Sequence, residues 1–278
     1  MKLNKNIFIL FVLQIIIAAN QDRIVTIGGC VTETVFRLGA GNKVVAVDQS
    51  STVPAEVTEL PQVGYIRAIS SEGILSMSPT MILTTTDIGP SKVVEQLKNS
   101  GVELHVFNSP HSFDDILSLI SDVSILIDME KKAVKLIDSL LVVENSIKEI
   151  KSEKKYQNKI VFFMNPSKAS YTAAGSKTRA DYLIDFIGGV NIFSDNFGRY
   201  NKVTNEEILN QNPDIILFSS VMPKGQEISS SVFFDNPEFN SINAVANNKV
   251  IQIDMNYLTF GPSFISDALY LINQIYEN

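Results

Sequence analysis

Short β-branched runs alternate along this chain with segments whose apolar residues recur every three or four positions. Residues 23–27, RIVTI, read as a strand ending at Gly28-Gly29. Val31 to Leu38 reads as a helix, with Thr32 near its start and Gly39 at its end, and residues 43–47, KVVAV, read as a second strand. Strand–helix–strand is the opening of a parallel α/β unit. Asp48 to Leu60 is polar and Pro-punctuated, which predicts a loop with one helical turn. A short helix from Ser71 to Met77 then leads through Pro79 to a strand from Met81 to Thr84. Ser91 to Ser100 is a helix stopped at Gly101, and Leu104 to Phe107 a strand. A helix capped by Ser112 or Asp114 runs to Ile127.

Met129 to Lys154 has no Gly or Pro and keeps Val134, Ile137, Leu141, Ile147 and Ile150 as an apolar stripe. A helix of about 25 residues is nearly 40 Å long at 1.5 Å per residue. Its polar remainder excludes a membrane span, and its central place suits a connector. Beyond it the alternation resumes. A strand is predicted at Ile160 to Met164, a Ser/Gly/Thr-rich loop at Asn165 to Lys177, and a helix at Ala180 to Ile187. A short helix at Glu206 to Gln211, strands at Ile215 to Phe218 and Val250 to Ile253, and a closing helix at Ser263 to Tyr276 complete the chain.

The two halves echo each other. SEGILSMSPTMIL (Ser71 to Leu83) and NEEILNQNPDIIL (Asn205 to Leu217) share a glutamate, an Ile-Leu pair, a proline and a core strand in register. One copy on each side of a long helix predicts two related lobes. The expected organisation is a signal peptide at 1–20, an N-terminal α/β lobe at 21–127, a connecting helix at 128–155 and a C-terminal α/β lobe at 156–278. The fold class is α/β, two Rossmann-like lobes joined by a single long helix, with the ligand cleft between them.

Composition narrows the function. A formal net charge of -7 argues against nucleic acid as a partner, since phosphate recognition needs a basic surface. Lys2 and Lys5, the apolar run Ile7 to Ala18 and the small Ala18-Ala19 have the layout of a secretory leader, with an uncleaved anchor as the alternative. The single cysteine, Cys30, forms no internal disulfide and stands too far past the apolar run for lipid attachment; a small residue in a tight turn is its expected role. Gly39-Ala40-Gly41 follows a helix, so it is not a dinucleotide fingerprint. Metalloprotease, nucleophile-elbow, phosphate-loop and cysteine-pair motifs are all absent, so no enzyme is expected.

In two-lobed α/β folds ligands sit beyond the carboxyl ends of the strands. The loops in question are 28–31, 48–65, 84–90, 165–175, 219–225 and 254–262. They hold three candidate ligand-contacting tyrosines, Tyr65, Tyr171 and Tyr257. Arg67 stands two residues beyond the first. The stretch LPQVGYIRAISSEGILSMSP (Leu60 to Pro79), with RIVTIGGCVTETVFRLGAGNKVVAVD (Arg23 to Asp48), TAAGSKTRADYLIDFIGGVN (Thr172 to Asn191) and YLTFGP (Tyr257 to Pro262), resembles the substrate-binding proteins of bacterial haem ABC importers. Those belong to a two-lobed class that also binds cobalamin and ferric siderophores. The first and third pieces in chain order mark the wider class, and the GYIRAISSEG portion (Gly64 to Gly73) resembles the haem branch.

That resemblance implies haem as the transported ligand, with Tyr65 as axial ligand to the iron. Ferric iron is hard and takes an anionic oxygen, and tyrosinate is a haem ligand elsewhere. Arg67 either favours the phenolate or pairs with a haem propionate; a plain surface ion pair is its structural alternative. The resemblance also implies one docking acid per lobe for the membrane permease, which works with a separate ATPase. Glu72 and Glu206 hold equivalent places in the echo, with Glu207 and Glu56 as competitors and a simple helix-start role as the alternative. Relatives often carry arginine after the final Gly-Pro, where this chain has Ser263, and no histidine lies in the 165–175 loop. One Tyr-ligated haem is therefore expected rather than two, with Tyr171, Lys168 or Met164 as substitutes on the second side. His105 and His111 flank a strand end, and His111 as a metal ligand is a minor alternative. The resulting expectation is a monomeric, exported, periplasmic binding protein. A siderophore or cobalamin binder is the runner-up; a metal-ion binder and an exported interaction module follow.

Overall fold

The computed structural model describes residues 22–153, 157–220 and 228–276. The expected leader, the Lys154 end of the long helix and most of the 219–225 loop lie outside the described residues. The chain divides into two compact units, Met1–Ser109 and Pro110–Asn278. Each unit is built on its own sheet.

The first unit follows the order β1 (Ile24–Ile27), α1 (Gly29–Arg37), β2 (Val44–Val47), α2 (Ser71–Leu75), β3 (Met81–Thr85), α3 (Ser91–Lys98) and β4 (Glu103–Phe107). Its four strands are parallel in the order β2-β1-β3-β4. The fully buried β1 is covered on both faces, as central strands of parallel sheets are. Val25, Ile27, Ala46, Ile74, Ile82 and Leu97 meet in one core cluster with Val63, Ile66 and Ile69 from the loop that precedes α2. Cys30 is buried, as a small apolar side chain should be, but it lies inside α1 rather than in the turn expected for it.

The second unit opens with α4 (Phe113–Leu126), capped by Ser112, and the long α5 (Glu130–Ser152). Then come β5 (Lys159–Ser167), β6 (Ser170–Ala174), α6 (Arg179–Phe186), β7 (Val190–Asn191), β8 (Tyr200–Val203), α7 (Asn205–Gln211), β9 (Ile215–Ser219), α8 (Ser231–Phe234), α9 (Asn243–Ala246), β10 (Val250–Gln252) and α10 (Phe264–Tyr276). The sheet order is β10-β9-β5-β6-β8, with β7 also paired to β5. It is mixed, because β6 runs antiparallel to both β5 and β8. The 165–177 segment is thus not the loop its Ser, Gly and Thr content suggests. Tyr171, Ala173 and Ala174 are buried, and that burial favours a strand over the local polarity.

The boundary at Ser109 places α4 and α5 in the second unit, whereas the sequence put it near residue 127. The long helix packs on α4 and α10. Its buried stripe is Ala133, Leu140 and Ile147, while Val134 is 59% exposed. Ile147 is buried as expected, whereas Val134 and Leu141 are exposed and their neighbours Ala133 and Leu140 are buried instead, because apolar residues adjoin each other there and period alone does not choose between them.

The echo survives at the level of geometry. Ser70 caps α2 by accepting from the Gly73 N–H, and Thr204 caps α7 by accepting from the Glu207 N–H. Ser78 and Asn212 both adopt left-handed φ, +51° and +46°, immediately before the matching prolines. Each then feeds a buried strand, β3 or β9.

Candidate functional site

The carboxyl end of the first sheet is organised around Asp48. This buried carboxylate accepts from the Gly28 N–H at 2.8 Å and the Ser51 hydroxyl at 2.7 Å through Oδ1. Through Oδ2 it accepts from the Ser50 N–H and hydroxyl at 3.0 and 2.6 Å. Thr32, within 2.7 Å of Ser51 and 2.8 Å of Thr26, extends the network into α1 and β1. A buried charge without a counter-ion needs this many donors to be tolerated. The network ties the ends of β1 and β2 together.

The loop after β2 returns alongside that strand. Val47 donates to the Pro61 carbonyl, Val63 to Val47 and Gln49 to Gly64, at 3.0, 2.9 and 2.8 Å. Tyr65 follows immediately, at the start of a 3-10 turn, Ile66–Ala68. On the far side the Gly89 N–H donates to the Ile66 carbonyl at 2.9 Å, and the Ile69 N–H to the Gly89 carbonyl at 3.1 Å. Val63, Ile66 and Ile69 point into the core. Gly28, at φ +105°, keeps the space for Ile66: a Cβ there would meet Ile66 Cδ1 at 3.2 Å and would be strained as well.

Tyr65 is consequently an outward-facing side chain on a backbone fixed from both sides. It is 46% exposed, and its hydroxyl has no hydrogen-bond partner among the described residues. Arg67 lies beside it in the chain, 64% exposed at the side chain, with Nη2 3.7 Å from Asp87 Oδ1 in the loop after β3. The surface ion-pair alternative for Arg67 is therefore present. Asp87 was not singled out from the sequence. An acidic residue just before Gly89-Pro90, in a loop leaving a strand's carboxyl end, was the signal available.

The second unit separates its two tyrosine candidates. Tyr171 is a correction: it is 2% exposed and packs against Phe163, Phe233 and Phe239, with ring centroids 5.3 to 5.6 Å away. Its hydroxyl donates to the Val232 carbonyl at 3.2 Å, and burial pushes its pKa up. It is a core side chain with a satisfied polar tip, not a surface ligand contact. Tyr257 is half-buried on the 3-10 turn Met255–Leu258, which Asp254 caps by accepting from the Asn256 N–H. Burial, with Asp267, Tyr270 and Asp254 nearby, pushes its phenol up to about 12. The Tyr257 ring is half-buried and available for packing or hydrogen bonding.

A groove of about 580 Å³ on this unit is lined by His111, Lys177, Thr178, Asp181, Tyr182 and Asp185. It contains His111 but none of Tyr65, Arg67, Tyr171 and Tyr257. The His111 N–H donates to Asp115, and His105 pairs with Glu103. Among the described residues no three His, Cys, Asp or Glu side chains are grouped to hold a metal ion.

Glu72 and Glu206 are exposed, each in the first turn of its short helix, and neither has a partner among the described residues. Glu207 differs. Its carboxylate accepts from the Thr204 N–H at 2.7 Å and the Thr204 hydroxyl at 2.9 Å, a reciprocal capping box that holds its pKa below the usual carboxylate range. The echo position and the unengaged side chain coincide at Glu206.

Known proteins place the chain. It is 28% identical to the uncharacterized ABC transporter substrate-binding lipoprotein YvrC of Bacillus subtilis, covering 94% of this chain and 84% of that protein. It is 24% identical to the vitamin B12-binding protein of Vibrio parahaemolyticus, over 71% of this chain and 70% of that one. Its fold is similar to that of the periplasmic heme-binding protein RhuT from Roseiflexus sp. RS-1 in apo form, with a TM-score of 0.85, 26% identity, and 93% and 99% of the two chains covered. Residues 24–257 match the family model described as periplasmic binding protein, and the chain belongs to that family.

Proposed function

We propose that this protein captures haem through Tyr65 and delivers it to the membrane permease of an ABC importer. Family membership makes it a substrate-binding protein; the ligand is the step beyond. The observation that carries haem is Tyr65 itself, an exposed phenol on a braced turn with a guanidinium two residues on. Ferric iron favours such an anionic oxygen, and the fixed backbone reduces the ordering cost of binding. Arg67 pairs with a haem propionate, and Tyr257 contacts the porphyrin as a neutral aromatic side chain. Glu72 and Glu206 dock one unit each onto the permease. The protein acts in the periplasm after export, as a monomer; among the described residues no helix is long and apolar enough to cross a membrane.

A second reading is cobalamin, favoured by the vitamin B12-binding relatives. The two separate cleanly in an equilibrium binding experiment. Purified protein is titrated in parallel with haemin, cyanocobalamin and a ferric siderophore. Saturable binding of haemin, undisturbed by excess cobalamin, is the expected result. Saturable binding of cobalamin or the siderophore without haemin binding overturns the haem reading.

A further inference from the structure

We infer that Asp87 weakens the grip of Arg67 on ligand carboxylates by holding it in an internal ion pair, so that an incoming carboxylate meets a negative charge behind the guanidinium. The inference rests on the haem reading above and adds a residue to it. The loops that carry Arg67 and Asp87 follow β2 and β3, the two strands that flank β1, and are joined by backbone hydrogen bonds on both sides of Arg67, Gly89 to Ile66 and Ile69 to Gly89. The Arg67 carbonyl also approaches Gly89 closely, since a Cβ there would meet it at 3.4 Å. The two side chains therefore remain neighbours.

Their contact is nevertheless loose. At 3.7 Å, Nη2 to Oδ1 is a charge contact beyond hydrogen-bond length, and the other guanidinium nitrogens have no partner among the described residues. Arg67 is the exposed member at 64%, and Asp87 the sheltered one at 28%. A ligand carboxylate finds donors to spare on Arg67 but meets the Asp87 charge behind them. Haemin and metal-free protoporphyrin bear this cost alike, because both bring carboxylates to Arg67; the attachment of iron to Tyr65 adds to affinity separately.

The test uses wild type, Asp87→Asn, Arg67→Gln and the double variant, each titrated with haemin, metal-free protoporphyrin and haemin dimethyl ester at low and high salt. Asp87→Asn should tighten haemin and protoporphyrin binding by roughly two- to five-fold at low salt, the scale of an exposed ion pair. The gain should shrink at high salt, vanish with the dimethyl ester and vanish in the Arg67→Gln background. Asp87→Ser should reproduce it, since charge is the cause. Unchanged or weaker haemin binding in Asp87→Asn, or an equal gain without Arg67, overturns the role of Asp87 while leaving haem as ligand. Failure of the wild type to bind haemin at all overturns both.

Discussion

At the scale of single residues, two tyrosines in strand-following segments have opposite fates. Tyr65 follows Gly64, at φ +111°, and stands out from a turn whose neighbours Val63 and Ile66 are core residues. Tyr171 alternates with its neighbours on β6 and turns inward onto three phenylalanine rings. Tyr171→Phe keeps the packing and loses one hydrogen bond, so chemical denaturation should show a loss of about 1 kcal/mol. Tyr171→Ala should lose about 3–5 kcal/mol by opening a cavity. Haemin affinity of the Phe variant should match wild type; a marked loss would return Tyr171 to the ligand set. Sequence marked Tyr65 because its flanking Gly-x-x-Arg and Ser-x-Glu-Gly spacing is local. It misplaced Tyr171 because the partners that bury it, Phe233 and Phe239, lie more than sixty positions away. Asp87 escaped notice for the same reason: its meaning depends on Arg67 across a loop.

At the scale of elements, helix starts and buried strands were readable because their determinants are adjacent in the chain. The Ser112 cap, the Pro79 and Pro213 turns and the β1–α1–β2 opening all stand as expected. The β5–β6 hairpin and the face of α5 were not, since both are chosen by tertiary packing over local composition. The capping box of α7 gives a sharp expectation. Thr204→Ala should cost about 1 kcal/mol at neutral pH by urea denaturation. The folded-state pKa of Glu207 is depressed, so its contribution is present above the ordinary carboxylate value and lost as pH falls through the folded one. The gap between wild type and Thr204→Ala should therefore narrow in acid. Asp267 on α10 has the opposite sign. Burial and the nearby Asp254 push its carboxyl up to about 6, despite a hydrogen bond from Ser263. Between about pH 4 and pH 6 the folded state holds the proton more tightly than the unfolded chain, so stability falls as pH rises through that window. Asp267→Asn should raise Tm at pH 8 and leave it unchanged at pH 4; the reverse pattern would contradict the assignment.

At the scale of the whole molecule, the repeat gives each unit a capped short helix carrying one unengaged glutamate. The proposed docking onto the permease uses one acid per unit, the unengaged Glu72 and Glu206 rather than the capped Glu207. Glu72→Ala combined with Glu206→Ala should abolish most ligand uptake in cells while leaving haemin affinity within about two-fold; normal uptake would remove both from the docking role. The central claim is narrower, that Tyr65 binds haem iron. Its most direct measurement is the absorption spectrum of the haemin-saturated protein, wild type against Tyr65→Phe. The expected result is a high-spin tyrosinate-type spectrum that is lost in the variant together with most of the affinity. An unchanged spectrum in Tyr65→Phe would contradict the claim.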